Sequence, residues 1–95
     1  MDKSRSLEGI RKHIDRLDTV LITILAERMS LIPEIAHLKK SQGIPIFQEK
    51  REQQIMKHLL KLAEEHGLDK SFVEEIFLSI FNEGKRIQHN IIGKK

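Results

Sequence analysis

The chain has 95 residues, 39% hydrophobic and 33% charged, with a net charge of +3, which suits one folded domain spanning 1–95 rather than a disordered chain. It has no cysteine, which excludes disulfide and thiolate chemistry and fits a reducing compartment. Its acids and bases are interspersed, Trp and Tyr are absent, no run nears the ~18 apolar residues of a membrane span, and the polar start MDKSRS shows no leader, so we expect a cytoplasmic protein that binds neither nucleic acid nor membrane.

Leu7, Ile10, Ile14, Leu17, Leu21 and Ile24 alternate steps of three and four, a helical stripe that resumes at Leu31, Ile35 and Leu38. Ser4 or Ser6 can cap its start, and Gly43 with Pro45 beyond marks its end, so the spacing predicts a first helix over 6–41. Pro33 falls inside it and is expected to kink it by opposing the carbonyl of Met29. A second helix is predicted over 49–65, ended by His66-Gly67. A third is predicted over 70–91, capped by Asp69, with Phe72, Ile76, Phe77, Ile80, Phe81 and Ile87 on its apolar face. The expected fold class is all-α, three helices with one long N-terminal helix. About 36 helical residues would span ~54 Å, against a diameter of ~30 Å for a compact domain of this size. A homodimer follows from that mismatch, with the long helix covered by its own copy.

Cations interrupt these helices. Arg28 occupies a slot of the apolar stripe, and Lys39 lies three turns further on nearly the same face, ~16 Å along the axis. Arg11 lies ~25 Å back from Arg28 and is turned away from it, so a small ligand shared by all three needs Arg11 from another chain. Gln48, Arg51, Glu52 and Ile55 share one face of the second helix; Phe81, Gly84, Lys85 and Gln88 share one face of the third. Gly84 inside a helix costs ~1 kcal/mol relative to Ala and marks the close approach of a ligand or a helix. Cations and neutral donors without a nucleophile describe a pocket for a small dianion. The five histidines show no ligand spacing, so no metal site is expected.

The ordered series I-R-K-x-I-D-x-L-D, L-A-E-R-M, Lys39, G-I-P-I, Arg51-Glu52 and Gln88 resembles the all-helical chorismate mutases along nearly the whole chain. The resemblance implies an intertwined homodimer, no cofactor, and a pericyclic rearrangement of chorismate to prephenate. It implies that Arg28 and the partner's Arg11 hold the two carboxylates, that Lys39 and Gln88 donate to the ether oxygen, that Glu52 accepts from the ring hydroxyl, and that Arg51 orders the pocket. Gln48 stands where the family usually has an acid, and Gly84 where it often has a small hydroxyl residue. Two other readings share these helices: an isochorismate pyruvate lyase, and a non-catalytic helical dimerisation or regulatory module.

Overall fold

Ser6 opens the first helix as a side-chain cap. Its Oγ accepts the N–H of Gly9 at 2.9 Å, and helix α1 runs Leu7–Ser30. The computed structural model describes residues 6–93, so Ser4, the other candidate cap, lies outside the described residues. At Leu31 the chain tightens. This residue has φ −84° and ψ −15°, and its N–H donates to Arg28 O at 3.2 Å, a three-residue spacing rather than the four of an α-helix. Helix α2 then runs Ile32–Gln42. The kinked helix expected over 6–41 is therefore two helices separated by Leu31. The break puts Pro33 in the first turn of α2, where a missing N–H deprives no helical carbonyl of its donor.

Two glycines stop helices in the same way. Gly43 has φ 67°; Ile44 N–H donates to Lys39 O at 2.8 Å and Gly43 N–H to Lys40 O at 3.3 Å. Gly67 has φ 71°; Leu68 N–H donates to Ala63 O at 2.8 Å and Gly67 N–H to Glu64 O at 3.2 Å. This paired closure needs a left-handed residue, which glycine supplies without steric cost. Helix α3 is Glu49–Glu65, the predicted bounds. Asp69 Oδ2 accepts the N–H of Phe72 at 2.9 Å and starts α4, Lys70–Gln88. The helix expected to reach 91 changes character after Gln88, into a wider π-helical turn over His89–Gly93.

The helix α1 with Leu31 forms one compact unit, and the chain from Ile32 onward forms another. The first unit is a single helix in which no residue is buried. The second packs α4 against both α2 and α3. Its core is Ile32 and Ala36 from α2, Ala63 from α3, and Val73 and Phe81 from α4. Phe72 and Ile76, expected on the apolar face of α4, are exposed, while Gly84 and Gln88 are buried. Close approach decides that face. Ile32 Cδ1 lies only 3.4 Å from where a Cβ on Gly84 would stand, so the glycine admits α2 and turns the buried stripe towards itself. Among the described residues there is no strand, and no helix is long and apolar enough to cross a membrane.

Candidate active site

The unit formed by α2, α3 and α4 gathers a charged cluster from three sequence segments. Lys39 sits in the last turn of α2 and is half-buried. Its Nζ donates to the carbonyl of Ile46 at 2.7 Å, tying the lysine to the loop that follows Gly43. Burial holds the Lys39 ammonium below the usual lysine range; the negative charge of Glu52 opposes that shift and the positive charge of Lys85 adds to it. Glu52, in the first turn of α3, pairs with Lys85 of α4 at 2.9 Å. Helix α3 thus contributes the acid of the cluster, while α2 and α4 contribute its bases.

Gln88 lies one turn beyond Gly84 and Lys85. It is 5% exposed, the buried polar side chain among the described residues. Its Nε2 donates to Gly84 O at 3.3 Å, which fixes the amide orientation, and its Oε1 is buried without a hydrogen-bond partner. A primary amide carries two N–H groups, and the Gly84 carbonyl takes one of them. Gly84 serves this amide through its carbonyl and serves the α2 contact through its lack of a side chain.

Gln48 is the N-terminal flanking residue of α3; it is half-buried, its side chain makes no cap bond, and its carbonyl accepts the N–H of Glu52 at 3.1 Å. Arg51 is exposed, and its Nη1 donates to Gln54 Oε1 at 3.1 Å. Arg11 is exposed on α1, and Arg28 is half-buried in the last turn of that helix. The structure therefore places Lys39 within electrostatic reach of Glu52, sets Gln88 on the helix that pairs with Glu52, and leaves the two arginines in the other unit. The bond from Lys85 to Glu52 is absent from the sequence-based site. The i, i+3, i+4, i+7 spacing of Phe81, Gly84, Lys85 and Gln88 already placed Lys85 on the right face, but no local pattern names an acid on another helix.

A groove of about 200 Å³ also opens between α3 and α4, floored by Phe47, Met56, Leu78 and Phe81. Its charged lining is Glu49, Glu52 and Glu74, and it includes neither Lys39 nor Gln88. Three carboxylates repel a dianion, so the cationic side of Glu52 is the better candidate. Among the described residues no three His, Asp or Glu side chains gather as a metal-ligand set.

The model of the type II chorismate mutase family matches residues 10–89. A chorismate mutase of Methanocaldococcus jannaschii is 37% identical over 82 residues, 86% of this chain and 83% of the relative. A 4-amino-4-deoxychorismate mutase of Streptomyces venezuelae is 27% identical over 95 residues, the whole chain and 92% of the relative. A bifunctional chorismate mutase/prephenate dehydratase of Buchnera aphidicola is 35% identical over 94 residues; the chain spans 25% of its length.

Proposed function

The chain belongs to the type II chorismate mutase family and rearranges chorismate to prephenate, and we propose that it does so at the two equivalent sites of an intertwined homodimer. In this reading Arg28 and the partner's Arg11 clamp the two carboxylates of chorismate. Lys39 and Gln88 donate to the ether oxygen, Glu52 accepts from the ring hydroxyl, and Arg51, Gln48 and Gly84 shape the pocket around them. The product feeds aromatic amino-acid synthesis in the cytoplasm.

The residue types suit the chemistry. The shift is intramolecular and moves no proton, so neither a nucleophile nor a general base is needed. The C–O bond breaks ahead of C–C bond formation, and negative charge builds on the ether oxygen. Donors fixed in a partly dry site stabilise that charge more than they stabilise the substrate. The clamp holds the enolpyruvyl arm over the ring and lowers the entropic part of the barrier. The observation that carries the assignment is the buried Gln88 amide: Gly84 O takes one N–H of its Nε2, and the second N–H is the donor that this reading gives to the ether oxygen. Lys39 supports it, because an ammonium held below its usual range by burial is a stronger hydrogen-bond donor.

The homodimer rests on α1. Leu17, Leu21 and Ile24 are 52%, 58% and 56% exposed along one stripe, although a helical stripe of this kind is the face a helix buries. A second copy is the cover that also delivers Arg11. Sedimentation should give about twice 11.1 kDa, and a folded, active monomer refutes the shared site. The activity test is the decay of chorismate absorbance with the purified chain and identification of prephenate as product; pyruvate release instead marks a lyase. The relative named for 4-amino-4-deoxychorismate makes the ring substituent a question for this site, and we read it here as the hydroxyl of chorismate.

A further inference from the structure

Lys85 has no part in the roles above, yet it is built into the same cluster. Its Nζ is 2.9 Å from Glu52 Oε2, and the two side chains are only 22% and 23% exposed, so the pair is largely withdrawn from water. The same Nζ stands 4.5 Å from the centroid of the Phe47 ring. A carboxylate and an aromatic face thus fix the ammonium from two directions. Its charge is also felt at Lys39. Glu52 therefore answers two cations, and the cluster of Lys39, Glu52 and Lys85 is net positive before any ligand arrives.

We propose that Lys85 is a specificity-determining residue, which makes the site prefer a ring substituent that is a neutral donor, a hydroxyl, over one that is a cation, an ammonium. The inference rests on the assignment of Glu52 to the ring substituent. A carboxylate offers about four lone-pair positions, so Glu52 accepts from a hydroxyl while it keeps Lys85. An ammonium at the same place adds a full positive charge beside two others, opposite an acid that is already paired. It must displace Lys85 from a partly dry ion pair or remain next to it, and both penalise the amine relative to the alcohol. Without the charge at position 85, Glu52 becomes the natural counter-ion of the amine, and the discrimination weakens or reverses.

The experiment compares kcat/KM for chorismate and 4-amino-4-deoxychorismate near pH 7, where an aliphatic amine is protonated, in the wild type and in Lys85→Met, Lys85→Gln and Lys85→Arg, each checked for folding by circular dichroism. The wild type is expected to favour chorismate. Lys85→Met and Lys85→Gln should each move the ratio towards the amine by about tenfold or more, and Lys85→Arg should hold it near the wild-type value. For a protein that binds the amine without turning it over, its inhibition constant against chorismate, or its affinity by calorimetry, reads the same discrimination. An unchanged ratio in both neutral variants of an active enzyme overturns the proposal. So does an equal shift in Lys85→Arg, which would trace selectivity to shape rather than charge. A wild type silent on chorismate overturns the mutase reading itself, and this proposal with it.

Discussion

Helix α1 buries none of its residues, whereas the chain from Ile32 onward closes around Ala36, Ala63, Val73 and Phe81. Both regions carry regular apolar stripes. The difference teaches that a stripe records a face meant to be covered and is silent on what covers it. Each large aliphatic side chain is worth roughly 1.5–3 kcal/mol when taken fully from water, so an exposed row of them is a substantial unrealised gain. In the second region the gain is realised by α4 lying against two neighbours. In α1 the stripe stays exposed, and Arg11 and Arg28 lie on that same helix.

The sharpest way to break this contrast is to ask whether α1 serves a site that its own chain does not complete. Arg11→Ala and Arg28→Ala should each reduce activity to background. Mixed and allowed to exchange, they should recover part of it, because one site of each heterodimer then holds both arginines and the other holds both defects. Proven exchange with activity still at background refutes the sharing.

Within the second region, Lys39→Ala should lower kcat by roughly 10²–10³, about 3–4 kcal/mol of barrier, and should raise KM by less. That split belongs to a donor whose bond strengthens as charge develops. A change in KM alone would reduce Lys39 to an attractor of the substrate. The same lysine is expected to set the alkaline side of the wild-type profile. Burial holds its ammonium below the usual lysine range, so kcat/KM should fall with rising pH earlier than for an ordinary lysine, as the donor loses its proton.

Gln88→Glu should turn a fairly flat pH profile near neutrality into an acid-dependent one. Glutamate donates only when protonated; its reference pKa is ~4.3, and burial as deep as that of Gln88 raises it. Ionised, it repels the charge it is meant to stabilise. Parallel profiles for the two proteins between about pH 4.5 and 8 would remove Gln88 from the site.

The smallest expected effects compare the regions through their caps. Ser6 and Asp69 make side-chain bonds of equal length, 2.9 Å, to Gly9 and Phe72. Asp69→Ala should cost about 1 kcal/mol by chemical denaturation. Ser6→Ala should cost the same only where α1 unfolds together with the rest. A lost cap at Ser6 with no change in the unfolding midpoint would show that the two regions melt apart.

Much of this fold is written locally, and those parts were legible. Glycine after a polar helix end predicted both left-handed stops, and the α3 bounds follow from periodicity and His66-Gly67. Pro33 announced a disturbance, but its form depends on Leu31 reaching Arg28 O instead of a carbonyl one residue earlier, which an unbroken apolar phase does not encode. Hydrophobicity found Phe81 on the buried face of α4 but added Phe72 and Ile76, which are exposed, and it gave no sign of the approach of Ile32 to Gly84. In the site, the residue types were readable one by one. The bond of Lys85 to Glu52 and that of Lys39 to Ile46 O were not, since each joins segments that only folding brings near.

The last of these bonds bears on how the protein tolerates change. A lysine side chain has up to about 2 kcal/mol of rotamer entropy to lose. Here one N–H is already anchored at 2.7 Å, so part of that loss is incurred when the chain folds and not when substrate arrives. The anchor is a main-chain oxygen. No substitution at position 46 deletes it. Genetic fragility shifts instead to the turn that aims this carbonyl, above all to Gly43, whose φ of 67° few other residues adopt.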